Sequence, residues 1–421
     1  MSQRRPADVA IDDLAAPRLP PELRAAAAAL EPAARALDWS AGGVCGQAAA
    51  ETGLSEFGPP DFRARLALLL DALDRQAGLN AMGRLSRHQT LVRYAKSRLL
   101  LEDLCRRHPE IEAESIARPI VIAGLPRTGT THLHNLIAAD PALRSLPYWE
   151  AQEPFPDPRE RAAPGAPDPR RARCAAAIEQ LDALLPHFKR MHEMAVDYVH
   201  EEIDLLALDF STMFFENLGC APDWRDAYRA SDQTPHYRYL ARVLKALQWL
   251  RGPRRWVLKS PQHLEQLLPL LRVFPDASFV VTHRDPVSIV ASFATMACYG
   301  ARLSEDRPDP RRYGRYWKDR ILDLLRACAR DRDQLPAAQS LDIRFHELVG
   351  RDVEWVERIY ALAGQPLPET SRAAIQRYMD EHPQGLHGRV RYALADFGLD
   401  ARALRDEFRF YTDHFGVKLE S

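Results

Sequence analysis

A short apolar run that ends in a loop of glycine and threonine restricts the fold of this chain more than any other feature. Residues 119–124 (PIVIAG) lie between turn-forming residues and are typical of a strand buried on both faces of a parallel sheet. The loop 125–131 (LPRTGTT) follows directly, and residues 132–139 have a helical pattern. A strand, a tight loop and a helix in this order predict an α/β fold.

The alternation of strands and helices continues along the chain. Further strands are predicted at 256–258, 277–283 and 340–345. Helical patterns occupy about 262–273, 368–381 and 400–415. Because strands that alternate with helices form parallel sheets covered on both faces, we predict a P-loop-like three-layer α/β fold with a central parallel sheet.

The remaining segments predict the domain organisation. Residues 1–22 are rich in Pro, Arg and Asp without periodicity, so we expect a loose tail there. Residues 23–115 are expected to form a helical annex, because two amphipathic patterns occupy 60–107. The α/β domain is predicted over 116–421, with a mostly helical insertion at about 172–250.

Composition restricts the class of protein further. The chain has 57 Lys and Arg against 58 Asp and Glu, and this balance argues against a globally basic nucleic-acid-binding protein. Its longest apolar stretches are far shorter than the roughly 18 residues of a membrane helix, so no membrane span is expected. Six scattered cysteines without a CxxC pair are typical of a reducing compartment, and we expect a cytoplasmic protein.

The loop 125–131 is expected to bind an anion. Backbone N–H groups of such a loop and of the following helical turn converge on one point, where the helix dipole favours negative charge. Thr128, Thr130 and Thr131 add hydroxyl groups, and Arg127 adds a positive charge. A plain tight turn is the alternative. The loop lacks the Lys of GxxxxGK[ST], which weakens the case for an ATP or GTP hydrolase.

Four ordered segments resemble motifs of the sulfotransferases that use 3′-phosphoadenosine 5′-phosphosulfate (PAPS). The loop 125–131 resembles the 5′-phosphosulfate loop of the bacterial PRSGTT branch. Residues 256–264 (WVLKSPQHL) are similar to the KSP segment, and 282–292 (THRDPVSIVAS) to the 3′-phosphate motif, an Arg followed eight residues later by a Ser. The interval of 25 residues between the Lys and Arg of these motifs is also found in tyrosylprotein sulfotransferases. Residues 385–392 (GLHGRVRY) and 396–398 look like the C-terminal loop of bacterial members.

The resemblance implies sulfuryl transfer from PAPS to a hydroxyl or amine acceptor by direct in-line displacement, with release of 3′-phosphoadenosine 5′-phosphate (PAP). It assigns the 5′-phosphosulfate to the loop residues Pro126, Arg127, Thr128, Gly129, Thr130 and Thr131. Arg284 and Ser292 are expected to bind the 3′-phosphate, since a guanidinium fork and a hydroxyl suit a phosphate monoester. Arg389 and Arg391, flanked by Gly385 and Gly388, are expected to fold over that phosphate as a flap, and an exposed basic loop is the alternative.

Three residues are predicted to be catalytic. Lys259, after an apolar strand, is expected to reach the sulfonate or the bridging oxygen, and Arg127 the departing phosphate. Glu150 is expected to be the general base, because it follows the loop helix at a position similar to the catalytic Glu of the tyrosylprotein enzymes. The small-molecule branch uses a His base instead. The rival candidates are therefore His132, His134, His192, His200 and His263.

No metal is expected, because the histidines at 187, 192 and 200 and the acidic pair Glu201–Glu202 have the spacing of neither HExxH nor an EF-hand. The expected acceptor is a small molecule, glycan or lipid with a hydroxyl group, bound by the helical insertion. A P-loop kinase using ATP is one alternative function. A PAP-binding protein without catalysis is the other.

Overall fold

The computed structural model describes residues 6–160, 166–383 and 387–420. The strands lie at Val9–Ala10 (β1), Ile120–Gly124 (β2), Leu143–Arg144 (β3), Leu146–Pro147 (β4), Val199–His200 (β5), Arg255–Ser260 (β6), Ser278–His283 (β7), Ser340–Arg344 (β8) and Val390–Arg391 (β9).

The first helices lie at Pro21–Ala29 (α1), Glu31–Ala36 (α2), Ala41–Thr52 (α3), Phe62–Gln76 (α4), Ala81–Arg107 (α5), Thr130–Ala138 (α6), Tyr148–Gln152 (α7), Pro169–Leu184 (α8) and Ile203–Leu206 (α9). The later helices lie at Pro222–Ala230 (α10), Thr234–Arg251 (α11), Leu267–Val273 (α12), Pro286–Ala301 (α13), Pro310–Asp331 (α14), Phe345–Leu348 (α15), Asp352–Ala363 (α16), Glu369–Glu381 (α17) and Ala401–Phe415 (α18).

A five-stranded parallel sheet forms the centre of the fold, in the order β3-β6-β2-β7-β8. Four of its strands are the four apolar runs of the sequence, so the predicted central parallel sheet is confirmed. The edge strand β3 is not predicted, because two residues are too short to show a period. The sheet brings the carboxyl ends of β2, β6 and β7 side by side, which decides where the functional loops meet.

Helices cover both faces of the sheet, as predicted. Alternate residues of β2 point to opposite faces: Ile120 and Ile122 belong to a core with apolar residues of α6, α16 and α17. Val121 and Ala123 belong to a larger core that includes residues of α4, α5, α11, α13 and α14. Burial on both faces explains why the strand is apolar at every position.

The N-terminal helices are joined to the helical insertion by a shared core and a buried ion pair. The two amphipathic helices predicted between 60 and 107 are α4 and α5. Arg98 of α5 is fully buried and donates to Asp209 Oδ1 at 2.8 Å. The other carboxylate oxygen of Asp209 is hydrogen-bonded to His236 of α11 at 2.6 Å. The buried pair fixes the insertion against the annex.

The predicted loose tail is corrected in part by the structure. Strand β1 pairs in parallel with β9, and the backbone N–H of Val9 donates to Arg389 O at 2.9 Å. Ile11 and Leu14 are buried in the larger core. Two isolated apolar residues among Pro, Arg and Asp give no periodic signal, so the sequence does not indicate this attachment.

Within the described part of the chain, no helix is both long and apolar enough to cross a membrane.

Replacing Gly124 by Ala is expected to lower the free energy of unfolding by about 1–3 kcal/mol, as overpacking does in other cores. A Cβ at this position would overlap Thr282 Oγ1 and lie 2.8 Å from Thr130 Cγ2. Urea denaturation checks the effect. Gly46→Ala is the control, because Gly46 lies exposed on α3 with no atom within 4 Å of a new Cβ, and it should raise stability slightly. Equal denaturation midpoints for the two variants would contradict the close approach.

Candidate active site

Three of the sequence motifs converge at the carboxyl edge of the sheet. Strand β2 ends at Gly124, which pairs with Thr282 of β7, and Ala123 pairs with Ser260 of β6. The loop 125–131, Lys259 and Arg284 therefore emerge beside one another. Ligands of open α/β sheets bind at this edge, beyond the carboxyl ends of the strands.

The loop 125–131 is held in one shape by its own backbone and by β7. Thr128 Oγ1 donates to Leu125 O at 2.6 Å and lies 2.7 Å from Thr282 Oγ1. Gly129 (φ +89°) precedes α6, and Arg127 adopts a left-handed φ of +70° that a non-glycine residue rarely takes. The first helical bond of α6 joins Leu133 N to Gly129 O, so the N–H groups before it are available to an anion.

Lys259 lies almost fully buried next to the loop. Its Nζ donates to Thr131 Oγ1 at 3.3 Å and forms an ion pair with Glu201. Its backbone N–H donates to Glu202 Oε2 at 2.9 Å. The charge of Lys259 is thus aimed at the start of α6, and the adjacent carboxylates Glu201 and Glu202 hold its two ends.

Glu202 is anchored from behind by a buried hydrogen-bond chain. His263 Nε2 is hydrogen-bonded to Glu202 Oε1, and His263 Nδ1 lies 2.9 Å from the Tyr237 hydroxyl. Burial raises the pKa of Glu202, but His263 and the Lys259 N–H outweigh this and hold the pKa below its ordinary value. Glu202 is therefore a fixed anion that positions the Lys259 backbone.

A cavity opens in front of Lys259 and Thr131. Its remaining wall comes from the start of α7 and from residues 192–201: Tyr148, His192, Glu193, Met194, Tyr198, Val199, His200 and Glu201. Its volume is about 10 Å³, enough for about one water molecule. A substrate can enter only when these side chains move.

The rival histidines differ in their environments. Burial lowers the pKa of His134 to about 3 and that of His192 to about 4, so both are neutral near pH 7 and weak bases. His132 is hydrogen-bonded to Asp352 at 2.8 Å, and His263 is enclosed with Glu202. His200, a wall residue of the cavity, is hydrogen-bonded through Nε2 to Asp204 Oδ2 at 2.9 Å.

Arg284 lies beside the loop, as its motif predicts, and three groups hold it. Its Nη1 donates to Arg127 O at 2.5 Å, and its guanidinium stacks on the Phe345 ring at 4.0 Å. Its Nε and Nη2 donate to the two carboxylate oxygens of Glu420 at 2.6 and 2.8 Å. A phosphate could use the same two donors only by replacing this carboxylate.

Ser292, Gly388 and Arg389 are the other residues that the sequence assigns to the 3′-phosphate. Ser292 is buried on α13, the helix that begins two residues after Arg284. Gly388 is buried with φ +77°, and Arg389 is exposed. His387, next to Gly388, is hydrogen-bonded at 2.9 Å to Glu193 of the cavity wall. The segment thus reaches the cavity, whereas residues 384–386 lie outside the described residues.

Glu150 is not brought to the cavity in front of Lys259. Both of its carboxylate oxygens are used by arginines: Arg144 Nη2 donates at 2.9 Å and Arg251 Nε at 3.0 Å. Glu150 is 2% exposed and lines a different cavity. Its spacing after the loop helix predicts a base, but the helical turn of α7 directs it to the opposite side of β4.

Sequence reasoning assigns no function to Glu201, Thr282 or Glu420. The sequence suggests Glu201 only as a metal ligand. Its position next to Glu202, in an insertion with several histidines, is the only local feature that could have pointed to a role in catalysis. Thr282 contacts Thr128, and Glu420 contacts Arg284. Because the partners are far apart in the sequence, no local pattern predicts these contacts. Among residues 6–160, 166–383 and 387–420, no group of three or more His, Cys, Asp or Glu is arranged to hold a metal ion.

Known proteins that are similar to this chain in sequence or in fold are sulfotransferases. The profile of the sulfotransferase family matches residues 119–369. The omega-hydroxy-beta-dihydromenaquinone-9 sulfotransferase Stf3 of Mycobacterium bovis is 23% identical over 283 residues, which cover 63% of this chain and 67% of that protein. The crystal structure of sulfotransferase STF1 from Mycobacterium tuberculosis is 30% identical, with a TM-score of 0.75, and covers 87% of this chain and 97% of that chain. The crystal structure of sulfotransferase STF9 from Mycobacterium avium is 26% identical, with a TM-score of 0.81, and covers 91% of this chain and 98% of that chain.

Replacing Glu420 by Gln is expected to tighten the binding of PAP by up to about fivefold, because a half-exposed ion pair with Arg284 contributes up to about 1 kcal/mol. Isothermal titration calorimetry with PAP measures the change. Asp413→Asn, which removes an exposed charge from α18, is the control and should leave the dissociation constant unchanged. Unchanged or weaker binding by Glu420→Gln would show that Arg284 does not exchange this carboxylate for a phosphate.

Proposed function

This chain belongs to the sulfotransferase family, and from that premise we propose that it transfers the sulfuryl group of PAPS to a hydroxyl acceptor by direct in-line displacement. The observation that carries the proposal is the meeting of the loop 125–131, Lys259 and Arg284 at one edge of the sheet. The loop supplies N–H and hydroxyl donors for a 5′-phosphosulfate, and Arg284 supplies the charge for a 3′-phosphate. A nucleotide with both anionic groups fits this pair of sites.

The donor side of the reaction needs stabilisation of negative charge. Lys259 Nζ, beside Thr131 at the start of α6, is placed to hold the sulfonate and the bridging oxygen. Arg127, exposed on the loop, is placed to reach the phosphate that departs. The loop around the departing phosphate is shaped by its other residues, Pro126, Thr128, Gly129 and Thr130. Ser292 on α13, and the segment containing Gly388 and Arg389, would complete the 3′-phosphate site.

We assign the general base to Glu201 rather than to Glu150. Glu201 faces the cavity and is held by Lys259, so it lies next to the group that would bind the sulfonate. When Lys259 turns to the sulfonate, the Glu201 carboxylate is free to accept the acceptor proton. The acceptor oxygen then bonds to sulfur as the bond from sulfur to the 5′-phosphate oxygen breaks, and PAP leaves. Glu150, bonded by two arginines, has no such freedom.

The acceptor is proposed to enter over the wall of residues 192–201. Tyr148, Met194 and Tyr198 make this wall partly apolar, which suits a hydroxyl group carried by a lipid or an aromatic molecule. The relative from Mycobacterium bovis is named for an omega-hydroxylated menaquinone, an acceptor of this chemical class. Most of this wall, residues 192–201, belongs to the insertion, to which acceptor binding is assigned in this proposal.

Metal-independent binding of PAP, with ADP bound at least tenfold more weakly, is the expected result of calorimetry with and without Mg²⁺. PAP uses both anionic sites, whereas ADP has no 3′-phosphate for Arg284. Saturation with PAP at about a hundred times its dissociation constant should also stabilise the fold by about 2.7 kcal/mol. ATP binding that equals or exceeds PAP binding and needs Mg²⁺ would instead support a kinase.

Replacing Glu201 by Gln is expected to lower kcat by about 10² or more while PAP binding stays unchanged, because the variant cannot accept a proton. Glu150→Gln should retain kcat per folded molecule and lose thermal stability, since a buried ion pair is weakened. PAP release from PAPS, with a panel of hydroxylated lipids, phenols and sugars, measures the rate. Loss of activity in Glu150→Gln alone would return the base to Glu150. PAP binding without turnover in any wild-type reaction would favour the inactive alternative.

A further inference from the structure

A second cavity of about 330 Å³ lies on the other side of β4 from Lys259. Tyr148 lines the cavity in front of Lys259, whereas its neighbours Pro147 and Trp149 line the second one. Backbone bonds close the wall between them, because Tyr148 N donates to Tyr198 O at 2.9 Å and Trp149 N to Val196 O at 3.1 Å. The second cavity is therefore a separate compartment, and it lies within the size range of small-molecule sites.

Positive charge exceeds negative charge around this cavity. Three guanidinium groups line it, those of Arg144, Arg251 and Arg254, against the carboxylates of Glu150 and Asp197. Asp197 is already neutralised by two bonds of 2.5 Å from Arg171. Glu150 pairs with Arg144 and Arg251, and Asp168, which Arg170 also binds, lies 3.8 Å from Arg251 Nη2. Arg254 has no ion pair within the described residues. An anionic ligand would restore the balance.

Arg144 makes this a built site rather than a basic surface. It is 5% exposed, and its guanidinium stacks on the Trp256 ring at 4.4 Å. Its Nη2 donates to Glu150, but its Nε and the nearby Ser145 Oγ, both buried, have no hydrogen-bond partner in the described structure. Arg144 and Ser145 both line the cavity, so each keeps an unused polar atom beside it.

The rest of the wall suits a carbon skeleton. Leu143, Pro147 and Val199 contribute apolar surface, and the Trp149 ring lies beside them. The guanidinium of Arg251 stacks on that ring at 4.9 Å, so the aromatic wall and the cationic wall adjoin. An inorganic ion would contact only the cationic part of a space this large.

We propose that this cavity binds a small organic phosphate or sulfate monoester, with the anionic head at Arg144, Arg251 and Arg254 and the carbon part against Trp149 and Leu143. Planar guanidinium groups bind tetrahedral oxyanions through paired N–H donors, and several such groups favour them over a single carboxylate. The proposal does not rest on the sulfotransferase reaction, because the residues of the two cavities are separate apart from Val199.

Calorimetry with phenyl phosphate, phenyl sulfate, benzoate and inorganic phosphate tests the site. Titrations use the Arg127→Ala variant, in which the loop 125–131 has lost its cation, so that binding there is suppressed. We expect one site that binds a phenyl ester at least tenfold more tightly than benzoate or inorganic phosphate. Tighter binding of phenyl phosphate identifies a phosphate monoester as the ligand class, and tighter binding of phenyl sulfate identifies a sulfate monoester.

Arg254→Ala, added to the same background, should weaken ester binding at least tenfold. Arg254 is exposed, so its removal leaves the fold intact. Arg238→Ala is the matched control, since Arg238 is an exposed arginine of α11 outside the cavity, and it should leave binding unchanged. Equal binding by these two variants, binding lost already with Arg127→Ala, or equal affinity for benzoate would overturn the proposal.

Discussion

The close packing of β2 against β7 decides where the loop 125–131 and Arg284 meet. At Gly124 the absence of a side chain lets Thr282 Oγ1 occupy the space of a Cβ, and Thr282 in turn lies 2.7 Å from Thr128 of the loop. This contact fixes the loop to the strand that delivers Arg284. The loop and Arg284 thereby form one unit, and a ligand with two anionic groups would bind there by displacing side chains such as that of Glu420.

Two cations at this edge, those of Lys259 and Arg284, are neutralised by carboxylates of the chain itself. Lys259 is paired with Glu201, and Arg284 with Glu420. A buried cation without a partner is strongly destabilising, so the free protein needs Glu201 beside the buried Lys259. Ligand binding is then an exchange of one anion for another, in which the affinity reflects the difference between phosphate and carboxylate. In the proposed reaction, the same exchange at Lys259 would free the Glu201 carboxylate to accept the proton of the acceptor.

The fold follows from local patterns, whereas the choice of base does not. Four apolar runs predict four strands of the sheet, and two amphipathic repeats predict α4 and α5, because burial on one or two faces leaves a periodic trace. The two-residue strands β1, β3 and β9 are too short to leave a periodic pattern. Ile11 and Leu14, which attach the N-terminal segment to the core, are isolated apolar residues and leave no such pattern either. Glu150 illustrates the same limit in the site. Its distance in sequence from the loop is suitable for a general base. The side of β4 that Glu150 faces, however, depends on α7 and on arginines from two other segments.

Consecutive residues of the chain specify the parallel α/β sheet, the family and the shape of the loop 125–131, because the backbone geometry of each depends on immediate neighbours. Packing of the folded chain decides which carboxylate pairs with Lys259, which carboxylate pairs with Arg284, and that Arg144, Arg251 and Arg254 surround one cavity. These pairings join residues dozens to more than a hundred positions apart. They arise from strand order and helix packing, and neither is encoded at any single position of the chain.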